Sequence, residues 1–209
     1  MRGGLLHFPG RFVRDRAAAT AAEFALVVPL LLLFLFGIID VGRLMWEWNR
    51  AEKATQMGVR YAVVTTPVLN SLAPPNDFDF TTLPGVLQGA PVSSALFPGV
   101  SCDNSANCSC KGTCAFPLAA NTTAFANIVA RMNLMDNRIT AANVVVHYDP
   151  SGLGFAGNPY GSDVAPIVTV RLRELEFTPI TTQIFGVAFD MPGFPSSLTM
   201  EDGAGTESN

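Results

Sequence analysis

The feature that most constrains this chain is an apolar run close to its N-terminus. From Phe24 to Ile39 no residue carries a charged or strongly polar side chain. The longer stretch Ala17–Ile39 adds one charged residue, Glu23, near its start. A helix rises about 1.5 Å per residue and the hydrocarbon core of a bilayer is about 30 Å thick, so a spanning helix needs about 20 residues. Residues 17–39 therefore predict a transmembrane helix with an acid close to one end.

Glu23 is a candidate functional residue because an ionised carboxylate is costly in hydrocarbon. An acid within a membrane segment is therefore expected to have a partner of opposite charge. The competing interpretation places Glu23 in the headgroup region, where water solvates its charge. Reasoning from this residue alone leaves both interpretations open.

The composition fits one membrane anchor attached to one folded domain. A chain of 209 residues leaves about 140 for such a domain. Only 14% of the residues are charged, against about 25% in an average soluble protein. The net charge of −4 and the pI near 5.1 argue against a nucleic-acid partner, which needs a basic surface.

The charges on the two sides of the apolar run predict its orientation. Residues 1–16 form a basic leader in which arginines outnumber the single aspartate, whereas residues 40–53 mix acids and bases. The positive-inside rule therefore places the N-terminus in the cytoplasm and residues 66–209 outside it. No small-x-small cleavage site follows Ile39, so removal of the run by an ordinary signal peptidase is not expected.

The helical pattern continues beyond the apolar run. Apolar and small side chains recur at three- and four-residue steps through residues 40–65, which predicts an amphipathic continuation. No proline occurs between Pro29 and Pro67, so one helix is expected from about residue 17 to about residue 64. Pro29 removes one backbone hydrogen bond and is expected to kink this helix.

All four cysteines lie within residues 102–114, in a proline-rich region with few helical signals. They are Cys102, Cys108, Cys110 and Cys114. Outside the cytoplasm such cysteines form disulfides. Two connectivities stay open, 102–110 with 108–114 or 102–108 with 110–114, because joining 108 to 110 would need a very tight ring. Zinc is the rival interpretation, but the spacing lacks the usual pair of C-x2–4-C knuckles, so no metal is expected.

The outer domain is expected to contain one further helix and a few strands. A helix is predicted over residues 122–138 with Thr122 or Thr123 as its N-cap. Strands are predicted over residues 143–148, 166–177 and 197–200, with a β-bulge at residues 173–174 where the alternation of apolar residues slips by one. The fold class is therefore α+β: a long N-terminal helix followed by a small disulfide-stapled domain with one helix and a few antiparallel strands.

The motifs of common enzymes do not occur in the sequence. His7 and His147 are the two histidines, and they are predicted to lie on opposite sides of the membrane. There is no P-loop, G-x-S-x-G, H-E-x-x-H or dinucleotide-binding fingerprint. We therefore expect neither an enzyme nor a cofactor, and no small-molecule substrate is evident.

The residues around Glu23 carry a resemblance to a known family. RAAATAAEFALVVPLLL begins at Arg16, FGIIDVGR covers residues 36–43, and GVRYA covers residues 58–62. Together they resemble the TadE-like family, pseudopilin-like proteins of the tight-adherence (Flp-type) pilus system. The resemblance is specific over about residues 16–64 and looser over residues 168–180 and 192–199.

This resemblance implies a mechanism for the N-terminal helix. A prepilin peptidase would cut between Ala18 and Ala19 and leave the apolar run on the mature protein. Glu23 would then be the fifth residue and, with Phe24 beside it, would pair with the new N-terminal amine of a neighbouring subunit. Ala18 departs from the family, which usually has glycine before the cut.

The resemblance also implies a location and partners. The chain would be a non-enzymatic pseudopilin-like subunit or assembly factor, single-pass in the bacterial inner membrane, with a periplasmic C-terminal domain. Its partners would be membrane lipid, pilin and other pseudopilin subunits, the prepilin peptidase and the inner-membrane pilus machinery. The alternative is a membrane-anchored extracytoplasmic binding domain that uses the helix only as a tether.

Overall fold

The computed structural model describes residues 16–183 and 186–201. Apart from Arg16, the predicted basic leader 1–16 lies outside the described residues. Within them the helices are α1 (Arg16–Val64), α2 (Thr122–Asn133) and α3 (Ile180–Gln183), with 3₁₀ turns at Asn70–Leu72, Phe80–Thr82 and Ala141–Asn143. The strands are β1 (Val100–Cys102), β2 (Ser109–Cys110), β3 (Val144–Asp149), β4 (Ile167–Leu172), β5 (Leu175–Phe177), β6 (Phe189–Met191) and β7 (Phe194–Thr199).

The predicted α+β fold class is confirmed, and so is the single long N-terminal helix. Helix α1 runs without interruption for 49 residues and includes Pro29. The chain forms two compact units: residues up to 45 with 178–188, and residues 46–177 with those from 189 onward. The division between them falls inside α1, so residues 46–64 of the helix belong to the unit that contains the sheet, whereas residues 40–45 belong to the other unit.

The larger unit is built on a five-stranded antiparallel sheet with the order β2-β1-β3-β4-β7. Strand β4 alternates as predicted, with Val168, Val170 and Leu172 fully buried between more exposed neighbours. A Cβ atom added to Gly58 of α1 would lie 2.7 Å from Met132 Cγ of α2 and 3.4 Å from Val170 Cγ1. The second half of α1 therefore packs tightly on both α2 and the sheet.

The expected β-bulge at residues 173–174 is wrong. Strand β4 ends at Leu172, and Glu174 has a φ of 55°, in the left-handed region. This turn separates β4 from β5, which pairs with β6 in a separate two-stranded sheet. The slip in the alternation of apolar residues therefore marks a change of sheet, because each sheet has its own buried face.

The predicted boundaries of three other elements shift by a few residues. Helix α2 is capped by Asn121, whose side chain accepts a hydrogen bond from Ala124 N (3.0 Å), so the expectation of Thr122 or Thr123 is wrong. The helix ends at Asn133 rather than at residue 138. Strand β3 begins one residue later than predicted, and β7 begins three residues earlier, at Phe194.

The proline-rich region between α1 and α2 has an apolar cluster of its own. Phe116 lies at its centre, with ring centroids 5.4–6.0 Å from those of Phe78, Phe80 and Phe97, and the rings of Phe78 and Phe80 lie 5.1 Å apart. The carboxylate of Asp163 accepts hydrogen bonds from Phe80 N (2.8 Å), Asn158 N (2.8 Å) and Gly157 N (3.0 Å). Ring packing and one buried acid thus hold segments that have little regular structure.

We predict that Tyr148→Phe destabilises the larger unit by about 1–2 kcal/mol, because a buried donor is left without its partner. Tyr148 is fully buried, and its hydroxyl oxygen accepts a hydrogen bond from Val68 N at 2.8 Å. The measurement is the free energy of unfolding of the full chain in detergent, from a urea titration followed by tryptophan fluorescence. Tyr160→Phe is the matched control, since Tyr160 is 96% exposed. Equal effects of the two substitutions would contradict the prediction.

Candidate functional site

The first half of α1 presents apolar side chains on all sides. The large hydrophobic residues from Phe24 to Ile39 are 40–79% exposed, except Val28, which is of intermediate exposure. Helix α1 is long and apolar enough, by length and composition, to cross a membrane. Such a surface is typical of a helix surrounded by lipid or by other apolar helices rather than by water. A helix of this length and composition is consistent with the anchor of a single-pass membrane protein.

The residues predicted to act in assembly all lie on this part of α1. Ala18 and Ala19 fall within the helix, and Glu23 is exposed with Phe24 beside it. Among residues 19–183 and 186–201, no side chain forms an ion pair with Glu23. Cleavage after Ala18 and pairing by Glu23 stay predictions, as does a kink at Pro29.

Asp40, directly after the apolar run, is a site residue that the sequence reasoning missed. Its carboxylate accepts hydrogen bonds from Ile180 N (2.7 Å), Thr181 N (2.9 Å) and Thr181 Oγ1 (2.8 Å). Arg43 contacts the same carboxylate at 3.5 Å and donates to the carbonyl oxygen of Thr178 at 3.4 Å. Both acid and base belong to the sequence FGIIDVGR, so this motif fixes a segment from far along the chain.

A second cluster of charges joins the amphipathic part of α1 to the turn after α2. Arg138 Nη2 lies 2.7 Å from Asp136 Oδ2, and the same guanidinium also pairs with Glu47. Arg50 lies 3.6 Å from Asp136 and donates to Met135 O at 3.0 Å. Because Asp136 is fully buried, its charge depends on these two arginines.

The arginines decide the ionisation of Asp136. Burial alone would raise the pKa of this carboxyl group, but hydrogen bonds and charge from Arg138, together with the charge of Arg50, hold the pKa below its usual value. The resulting stabilisation is present above the ordinary pKa of an aspartate, about 4, and is lost as the pH falls through the lowered value. The cluster therefore stabilises the unit at neutral pH.

The four cysteines form two disulfides, Cys102–Cys108 and Cys110–Cys114. This outcome selects one of the two open connectivities and favours disulfides over zinc. The reason is the register of the hairpin: Ser101 lies opposite Ser109, and Val100 lies opposite Cys110. Cys102 is consequently next to Cys108, while Cys110 lies further along the hairpin, where it pairs with Cys114.

Comparison with known proteins agrees with the resemblance seen in the helix. Residues 18–60 match the family model of TadE-like proteins. The match lies wholly within α1 and includes Glu23, Pro29, Asp40 and Arg43. No curated protein and no solved structure matches the chain significantly. The TadE-like segment and the candidate membrane helix together fit a protein related to the Tad pilus.

We predict that Arg138→Ala lowers the free energy of unfolding by about 1–3 kcal/mol, because it removes the closest partner of a buried carboxylate but leaves Arg50 in place. Arg173→Ala is the matched control: its pair with Asp103 measures 3.9 Å between partly exposed groups and its Nε donates to Ala142 O at 3.3 Å in an exposed position, so a loss of only about 0–1 kcal/mol is expected. Urea titration of the full chain in detergent measures both. A larger loss for Arg173→Ala would contradict the assignment.

Proposed function

We propose that this chain is a non-enzymatic, pseudopilin-like subunit or assembly factor of a Flp-type (tight-adherence) pilus. The observation that carries the proposal is the match to TadE-like proteins over residues 18–60, which includes the exposed apolar half of α1. The proposed role needs no cofactor and no catalytic residue. It needs a helix that inserts in a membrane and packs on the helices of other subunits.

The proposed location is the inner membrane of a bacterium, with the N-terminus in the cytoplasm and the C-terminal domain in the periplasm. The excess of arginine in residues 1–16 supports this orientation through the positive-inside rule. Two disulfides in the sheet-containing unit also support an oxidising compartment, since such bonds are rare in the cytosol.

Glu23 is proposed to drive assembly by pairing with the N-terminal amine of a neighbouring subunit. Cleavage between Ala18 and Ala19 by a prepilin peptidase would place that amine four residues before the acid. Opposite charges in a low-dielectric environment stabilise each other far more than they do in water, because water no longer screens them. Pilin and pseudopilin subunits would therefore be the direct partners of the helix, within the inner-membrane pilus machinery.

Cleavage predicts a mature chain that begins at Ala19. Intact-mass and N-terminal peptide mass spectrometry of protein purified from a strain with an active prepilin peptidase measures this directly. A strain that lacks the peptidase should yield the chain from Met1 and serves as the control. An intact Met1 in both strains, or a start beyond Ile39, would contradict cleavage at this site.

Replacement of Glu23 by glutamine should impair pilus assembly and leave membrane insertion intact. Loss of one partner from a buried ion pair costs about 3–5 kcal/mol, which corresponds to a reduction of about 100-fold or more in the association constant. Counting pili by electron microscopy and extracting membranes with carbonate measure the two properties. Glu52→Gln, an exposed acid on the same helix, is the matched control.

Two results would count against the pairing role. Normal piliation with Glu23→Gln would contradict it and favour the alternative, in which the helix is only a tether for an extracytoplasmic binding domain. Equal loss of piliation with Glu52→Gln would show that the effect is not specific to Glu23.

A further inference from the structure

The segment held by Asp40 has an unusual composition for a loop. From Thr178 to Phe189 the sequence contains no charged residue. Within its described part, residues 178–183 and 186–188, Ile180 is 36% exposed and Val187 is 41% exposed. A segment that exposes aliphatic side chains and contains no charged residue is more typical of a surface in contact with an apolar environment than of one in contact only with water.

The hydrogen bonds of Asp40 fix the level of this segment along α1. Ile39 is the last residue of the apolar run, and the Asp40 carboxylate binds the amides of Ile180 and Thr181 directly. Residues 17–39 give a helix of about 35 Å, slightly more than the hydrocarbon thickness of about 30 Å. If residues 17–39 span the bilayer as proposed, Asp40 lies at the outer boundary of the hydrocarbon layer, and the residues that it binds, 180 and 181, lie at the same level.

The direction of the chain is set by two successive contacts. The carbonyl oxygen of Thr178 contacts Arg43, and the next residues reach Asp40, three positions closer to the apolar run. The segment thus runs toward the bilayer from Thr178 to Thr181. Two hydrogen bonds then join Thr182 to Val187. The Thr182 hydroxyl donates to Val187 O (3.0 Å), and Val187 N donates to Thr182 O (3.4 Å). Val187 is consequently held beside α3.

The hydrogen bonds to Asp40 also pair backbone amides that would otherwise disfavour contact between this segment and lipid. Unpaired backbone amides are costly near hydrocarbon. The first amides of α3 donate to Asp40, and Arg43 partly neutralises the charge of that acid. The polar groups that face α1 thus satisfy one another, while Ile180 and Val187 stay exposed.

We propose that residues 178–183 and 186–188 form a second membrane contact, in which Ile180 and Val187 insert into the headgroup layer of the lipid bilayer under the control of Asp40. The occupant is lipid because Asp40 holds the segment directly beside the end of the exposed apolar half of α1, which is itself proposed to lie in lipid. The proposal rests on the membrane insertion of α1 put forward above. It assigns to the aspartate of FGIIDVGR a positioning role that is separate from subunit pairing at Glu23.

The test places a fluorescent bimane label at Val187→Cys in the full chain, attached without reductant so that both disulfides stay closed. The chain is reconstituted in vesicles of phosphatidylethanolamine and phosphatidylglycerol, with a nitroxide on a shallow acyl carbon. We expect the label to lose at least about half of its fluorescence, because interfacial side chains lie about 5–10 Å into the headgroup boundary. Ile39→Cys provides the inserted reference, and Tyr160→Cys, whose native side chain is 96% exposed, provides the aqueous reference.

A second pair of variants tests the role of Asp40. Asp40→Ala in the Val187→Cys background should reduce the quenching toward the aqueous reference, because the segment loses its hydrogen-bonded anchor. Glu52→Ala, an exposed acid elsewhere on α1, is the matched control and should leave the quenching unchanged. Quenching that persists with Asp40→Ala would overturn the positioning role.

The outcomes separate this inference from the proposed function. Quenching at Ile39 but not at Val187 overturns the second membrane contact and leaves the insertion of α1 in place. Absence of quenching at both positions overturns membrane insertion itself. A third outcome is a bimane emission at position 187 that shifts to shorter wavelength as the protein-to-lipid ratio rises, without quenching by the lipid nitroxide. It would identify another copy of the chain as the occupant and would also overturn the inference.

Discussion

A segment that spans a membrane has to satisfy its backbone hydrogen bonds in a medium without water, and this constraint accounts for the first half of α1. In hydrocarbon an unpaired amide or carbonyl is too costly, so a single spanning segment has to be an α-helix. Helix α1 continues without interruption through the apolar run. Pro29 has no N–H group, so one carbonyl oxygen in the preceding turn lacks its usual helical donor. The exposed apolar side chains of this part of the helix suit the same medium, because hydrocarbon offers polar groups no partners.

Beyond the apolar run, the same helix is held by paired charges and by close packing. Asp40 anchors the backbone of α3, and Asp136 anchors Arg50 and Arg138. Each is a buried acid whose partners are specific donors, so loss of a donor leaves an uncompensated charge. Close packing adds to these charges: Met132 lies so close to Gly58 that a Cβ atom at this position would not fit. Buried acids and close contacts thus give α1 defined partners in each compact unit.

Much of the architecture was predictable because it follows from local periodicity. The apolar run and the amphipathic stripe predicted one helix to about residue 64, and the alternation of Val168, Val170 and Leu172 predicted β4. The end of β4 was not predictable in this way. A bulge and a change of sheet produce the same one-residue slip in the sequence, and only the left-handed turn at Glu174, with the pairing of β5 and β6, distinguishes them.

The sequence by itself determined the candidate membrane helix, the family resemblance and the candidate role of Glu23, because each depends on residues that are neighbours in the chain. Only the tertiary structure decided which disulfides form, since the hairpin register brings Cys102 next to Cys108. It also decided the partners of Asp40 and Asp136. Asp40 binds residues about 140 positions away, and Arg50 reaches Asp136 about 86 positions away. Such pairs leave no periodic signal, because the fold rather than the spacing in sequence brings the two groups together.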